Sequence, residues 1–219
     1  DPLVDDVGDN DSADTSDTKE GKLRGKVDNT NGGAARTVCA GDDRVRITAT
    51  SSSPWRAIAN LWITWPNGHT GICTGFFIGP RALGTAGHCL YNQAQGGFVR
   101  SIQVIPGRNG SVDPFGSQFA VQIFVANGFV QSASPDFDFG TIILPDTTLS
   151  NRVGYFSYIN YADSQLRSVT LNTAGYPWDK GGTTQWHDDG AVNLLTTRRL
   201  TYFMDTAGGQ SGSPVWVNS

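Results

Sequence analysis

Residues 208–219 read GGQSGSPVWVNS, a serine set between glycines. Only its last few residues, SPVWV (213–217), could continue as a strand. A serine hydroxyl is a weak nucleophile at neutral pH unless a neighbouring base takes its proton and an acid orients that base. Glycines on both sides of Ser211 permit backbone conformations that other residues resist. The amides of Gly209 and Ser211 can then point at one spot, as an oxyanion site requires. The same string also suits an ordinary flexible loop. What separates the two readings is whether a base and an acid stand elsewhere in the chain.

There are three histidines, His69, His88 and His187. His88 lies in TAGHCL (85–90), at the end of a strand-like run and next to Cys89. A histidine so placed is either a structural residue or a base held by its surroundings. Asp138 lies in PDFDFGTIIL (135–144), where an apolar strand begins. A carboxylate entering a buried strand needs a partner, because burying it unpaired is costly. His88 is available as that partner, and Asp136 is the competing acid.

Taken together, the order His88, Asp138, Ser211 with these flanks resembles the trypsin-like serine proteases of the chymotrypsin fold. TAGHC is similar to that family's histidine motif. DFGTI is similar to its aspartate motif, which favours Asp138 over Asp136. GQSGSP resembles its serine motif, with Gln210 where the best-known members carry Asp. GGQSGSPV, GYPWDK (175–180) and Trp186 together look like the glutamyl endopeptidase branch, over residues 37–219. The resemblance implies an all-β, chymotrypsin-like fold of two six-stranded antiparallel barrels with the triad between them. It further implies His88 as base, Asp138 as its orienting acid and Ser211 as nucleophile, with the Gly209 and Ser211 amides as oxyanion hole. It also implies a Cys73–Cys89 disulfide bracketing the histidine, and neither metal nor organic cofactor.

Composition agrees with a β-rich protein: 16% charged residues, 11% aromatics and 27 glycines in 219. The net charge of −4 gives no reason to expect nucleic acid or an anionic membrane as partner. No apolar run approaches the ~20 residues of a membrane span. The expected partners are polypeptide substrates, and the expected state is a secreted monomer. Cys73 and Cys89 both flank strand-like segments and could pair. Cys39 is left over, as a buried thiol or with a partner beyond Ser219.

Three regions are expected. Residues 1–36 are acidic and then basic and Gly/Asn-rich, too poor in large apolar side chains to order themselves. They read as a prosegment cut near Arg36, or as a solvated tail. Residues 37–150 form a first barrel carrying His88 and Asp138. Its six strand candidates are 57–65, 72–79, 81–87, 99–107, 119–129 and 137–145. Residues 151–219 form a second barrel carrying Ser211, with candidates 168–177, 191–205 and 213–217. That barrel is about two strands short, so residues 1–219 alone are expected to turn over little peptide.

Specificity is less directly written. Thr206 matches the threonine that helps bind a substrate carboxylate in glutamyl endopeptidases, which implies cleavage after Glu or Asp. Asp205, at the floor of the expected pocket, would instead attract Arg or Lys if it faced the cavity. The other possibility is a carboxylate turned away and bonded to backbone. Glu20 is the only glutamate in the chain, and after residue 36 Lys180 is the only lysine. The missing glutamates favour a Glu-cutting enzyme only mildly. An inactive protease-like binding module is the reading from another class, although such proteins commonly lose a triad member and all three are kept here. His187, in QWHDDG beside Asp188 and Asp189, reads as a polar surface turn rather than a metal ligand. His69 reads as a hairpin-loop residue, and Trp178 and Trp186 as packing residues.

Overall fold

The computed structural model describes residues 41–218. The segment expected to be a prosegment, its cut near Arg36, and Cys39 all lie outside the described residues. In chain order the strands are β1 Val45–Arg46, β2 Ile58–Thr64, β3 Thr70–Phe77, β4 Ala82–Thr85, β5 Tyr91–Asn92, β6 Gly97–Phe98, β7 Ser101–Pro106, β8 Gln118–Phe119, β9 Gln122–Val125, β10 Gly140–Ile143, β11 Leu171–Gly175, β12 Trp186–Gly190, β13 Val192–Leu195, β14 Leu200–Tyr202 and β15 Val215–Trp216. Three short helices, α1 Asn127–Ser132, α2 Ser150–Val153 and α3 Asp163–Leu166, interrupt them.

One antiparallel sheet, ordered β8-β7-β2-β3-β4-β10-β9, wraps around a core that includes Leu61, Phe77, Leu83, Leu90, Ile102 and Ile142. Strand alternation explains how β2 serves two cores. Ala59, Leu61 and Ile63 face this first core, while Ile58 points the other way and packs with Ala174 and Tyr176 of the second half. The second half is a sheet ordered β1-β12-β11-β15 beside the β13–β14 hairpin. Strand β1 thus precedes the first sheet in sequence yet pairs with β12, at Val45↔His187.

The six candidates of the first half correspond to β2, β3, β4, β7, β9 and β10, and β8 adds a two-residue edge. The run 119–129 departs from expectation, since only Gln122–Val125 is regular strand and Asn127–Ser132 turns into α1. A short apolar run carries no period that distinguishes strand from helix. Here Phe129 reaches the core from the helix. Gly128 lets α1 close on the next turn, because a Cβ there would lie 2.5 Å from the Phe137 ring. The run 191–205 likewise folds into a hairpin, closed where Thr196 N–H donates to Arg199 C=O at 2.8 Å.

Candidate active site

Pairing between β4 and β10 brings the first two candidate residues together. Gly140 lies opposite Thr85, so Asp138, two residues before the one, meets His88, three residues after the other. His88 occupies the 3₁₀ turn Gly87–Cys89, and Asp138 follows the 3₁₀ turn Pro135–Phe137. His88 Nδ1 lies 2.7 Å from Asp138 Oδ2, and the His88 backbone N–H donates to Asp138 Oδ1 at 2.8 Å. Burial pushes the Asp138 carboxyl up, but the His88 ring and the His88 and Gly87 amides together bring it below its ordinary value. A carboxylate only accepts, so Nδ1 must carry the proton and neutral His88 keeps a lone pair on Nε2. That Nε2 is buried and has no hydrogen-bond partner among the described residues. Asp136, the competing acid, instead pairs with Arg199 at 2.7 Å.

The Cys73–Cys89 disulfide is present and ties β3 to the histidine turn, as the family resemblance implied. Cys89 Sγ lies 3.7 Å from the Ser211 carbonyl oxygen, which sets the third candidate residue against the same turn. Ser211 itself is half-buried.

The turn around Ser211 is pinned. Gly209 and Gly212 have φ of +94° and +81°, in the left-handed region that glycine adopts without strain. There is no room for a side chain at either place. A Cβ on Gly209 would lie 2.4 Å from Tyr176 O, and one on Gly212 would lie 2.2 Å from Thr85 Oγ1. Three carbonyls are held from outside the turn. Trp178 N–H donates to Gly208 C=O at 2.6 Å and Thr74 N–H to Ser211 C=O at 2.8 Å. Thr74 Oγ1 donates to Gly209 C=O at 2.8 Å. Within the turn, Gln210 C=O accepts from Ser213 N–H at 2.9 Å.

These bonds also aim two amides. In a trans peptide the C=O and the following N–H point in opposite directions. With Gly208 C=O turned to Trp178 and Gln210 C=O turned to Ser213, the N–H groups of Gly209 and Ser211 face away from both. Neither donates to another group among the described residues. The sequence reading missed Thr74, whose hydroxyl also accepts from Tyr176 N–H at 3.0 Å. Nothing in ICTGFF marks it, because its partners lie more than a hundred residues away in sequence.

Thr206, half-buried, directly precedes the pinned turn. Asp205 is buried, with 3% of its surface exposed, and its Oδ2 accepts from Asp43 N–H at 3.4 Å. Asp188 accepts from the Asp205 backbone N–H, and the carboxylates of Asp43, Asp188 and Asp205 lie within 4.8 Å of one another. Burial, together with the charges of Asp43 and Asp205, raises the Asp188 carboxyl above its ordinary value.

His187 does not lie in a surface turn. It sits in β12, edge-on to Trp55 at 5.2 Å, with Nε2 3.1 Å from Asn172 Oδ1, and burial lowers its basicity. The alternation of β12 carries it inward, a signal that the polar string QWHDDG hides. His69 does lie in the hairpin between β2 and β3. Trp186 packs as expected, with Lys180 Nζ 4.6 Å above its ring. Trp178, however, leaves 63% of its surface exposed, and it is its backbone rather than its ring that holds the serine turn.

Comparison with known proteins places this geometry. The trypsin family model matches residues 45–219. Glutamyl endopeptidase of Bacillus licheniformis is 41% identical over 184 residues, covering 84% of this chain and 56% of that protein. A Bacillus subtilis protein named extracellular metalloprotease is 38% identical, covering 81% of this chain and 56% of its own length. The chain therefore spans just over half the length of the curated relatives it matches. Among solved structures, a Glu endopeptidase in complex with MPD superposes with a TM-score of 0.74 at 31% identity, covering 83% of this chain and 82% of that one. The protease Anisep from Arthrobacter nicotinovorans, at 19% identity and a TM-score of 0.65, shares the fold. The architecture is chymotrypsin-like, and the chain belongs to the trypsin family of serine proteases.

Proposed function

We propose that this chain is the proteolytic part of a secreted serine endopeptidase that cuts after acidic residues, chiefly Glu. One observation carries the reading: Asp138 occupies His88 Nδ1 and leaves a buried Nε2 free, beside a serine turn whose Gly209 and Ser211 amides are unbonded. Ser211 Oγ attacks the peptide carbonyl carbon while Nε2 takes its proton. The carbonyl π pair moves to oxygen, and the two amides stabilise it there. Collapse breaks the C–N bond, and the imidazolium returns its proton to the leaving amine, giving an acyl-serine that water then hydrolyses by the same route. Asp138 fixes the tautomer and stabilises the imidazolium.

Three regions serve this function: residues 1–36 as a removable prosegment, 37–150 with the base and acid, and 151–219 with the nucleophile. The disulfide suits an oxidising, extracellular compartment. Preference for Glu is supported by the relative named glutamyl endopeptidase and by the placement of Thr206. Arg or Lys preference through Asp205 is the competing reading. It is disfavoured because that carboxylate is buried and takes a backbone amide. Chromogenic peptides ending in Glu and in Arg, assayed side by side, decide between them, and faster Arg hydrolysis overturns the Glu assignment. Loss of activity to a chelator but not to a fluorophosphonate would point to the metalloprotease chemistry in the name of the Bacillus subtilis relative. Activity toward neither peptide, with no fluorophosphonate adduct, would favour a protease-like binding module.

A further inference from the structure

The strongest feature outside the triad is a charge cluster behind the serine turn, built around a buried arginine. Arg44, just before β1, has a side chain with no exposed surface. Its Nε and Nη2 each donate to Asp42 at 2.8 Å, and Nη2 also reaches Asp179 at 2.6 Å. Nη1 donates to Asp179 at 3.2 Å and to Gln210 Oε1 at 3.0 Å. Gln210 Oε1 also accepts from Ala207 N–H at 3.0 Å, so both its lone pairs are in use. Asp179 belongs to the turn Trp178–Lys180, whose Trp178 N–H holds Gly208 C=O. One guanidinium therefore grips the serine turn through Gln210 and the wall that supports it through Asp179.

Charge counting gives the reason for a glutamine beside the nucleophile. Lys180 Nζ lies 2.8 Å from Asp42, so Arg44, Lys180, Asp42 and Asp179 sum to zero. A carboxylate at residue 210 would add an unbalanced negative charge to a buried site. An amide oxygen accepts the same two hydrogen bonds without one. The departure from the Asp of better-known members is thus matched by two acids supplied from elsewhere. Arg44 and Lys180 hold the Asp42 carboxyl far below the ordinary carboxylate range, so it stays ionised beside them.

We propose that Arg44 is a positioning residue for catalysis: through Gln210 it fixes the turn 207–211 that aims the Gly209 and Ser211 amides. This rests on the reading of Ser211 as nucleophile. The test is the inactivation of the intact protein by a fluorophosphonate, resolved into kinact and KI, with thermal melting alongside. Gln210→Met removes the acceptor at nearly constant volume. It is expected to lower kinact about tenfold or more, the scale of losing one aligned oxyanion donor, with KI within about twofold. Gln210→Glu keeps the acceptor but adds the unbalanced charge, so it should recover part of the kinact loss while melting below wild type. Arg44→Met should resemble Gln210→Met, and the double variant should lose little more than either, because both remove one linkage. Should Arg44→Met fail to fold, the two Gln210 variants still decide. Wild-type labelling at Ser211 with Gln210→Met within twofold in kinact would overturn the clamp alone. So would a kinact loss that tracks the fall in melting temperature and is not even partly restored by Gln210→Glu. Absence of any wild-type adduct at Ser211 would overturn the serine reading and the clamp with it.

Discussion

Replacing Thr74 by valine tests how the first sheet holds the turn around Ser211. The two side chains have nearly the same shape, so the change removes a hydroxyl and leaves the packing of β3 in place. Thr74 is fully buried, and its Oγ1 serves Gly209 C=O at 2.8 Å and Tyr176 N–H at 3.0 Å. Neither of those backbone groups has a second partner among the described residues. Leaving a buried polar group unsatisfied costs about 1–3 kcal/mol, so two of them amount to about 2–6 kcal/mol. For a chain of this size that lowers the melting temperature by roughly 5–15 °C. Fluorophosphonate labelling should slow as well, since Gly209 C=O would lose the bond that fixes its peptide plane. Thr74→Ser keeps the hydroxyl and should cost only about 1 kcal/mol, for one lost methyl. A Thr74→Val protein that melts within about 2 °C of wild type and labels at the wild-type rate would refute the claim that this hydroxyl pins the turn.

Other outcomes follow from the same geometry. Gly212→Ala forces a left-handed residue and puts a Cβ 2.2 Å from Thr85 Oγ1, so it should destabilise by about 2–5 kcal/mol and abolish labelling; a well-folded, reactive variant would contradict the turn conformation. Asp138→Asn should slow fluorophosphonate labelling of Ser211 by about 10³-fold or more, because His88 loses the acceptor that sets its tautomer. Asp138 also links stability to pH. Its folded value lies below the unfolded 3.8, so its contribution is complete above that value and fades as pH falls through the lower one. The stability gap between wild type and Asp138→Asn should therefore be flat near neutrality and shrink below about pH 4; a gap that widens in acid would reverse the assigned sign. Reducing Cys73–Cys89, which are 16 residues apart, should cost about 3 kcal/mol in chemical denaturation. An unchanged denaturation midpoint would exclude that stabilising role.

The chemistry of the candidate site was legible because it is compressed into short strings. TAGHC, DFGTI and GQSGSP each place one reactive side chain in a defined local setting, and their order along the chain identifies the family. Strands β2, β3, β4, β7 and β10 were legible from alternating runs set between Gly, Pro and Asn. Helix α1 was not, since FVANGF has no period of its own and is decided by the packing of Phe129 and Phe137. Thr74 and Arg44 were not legible for a different reason. Their roles depend on partners 135 and 166 residues away, which pattern reading along the chain does not reach. Gln210 lies between these cases: it was visible as a departure from the motif, but its reason is visible only where Arg44, Asp42 and Asp179 converge. His187 was misplaced because a strand that turns its histidine between Trp55 and Trp216 has the same composition as a polar turn.

The central claim is that Ser211 is a nucleophile activated by His88. Its most direct measurement is mass spectrometry of the intact protein after treatment with a fluorophosphonate. One adduct per chain is expected, mapped to the peptide containing Ser211, absent in Ser211→Ala and strongly slowed in His88→Ala. Peptide hydrolysis that persists in Ser211→Ala, or an adduct on another residue, would contradict it.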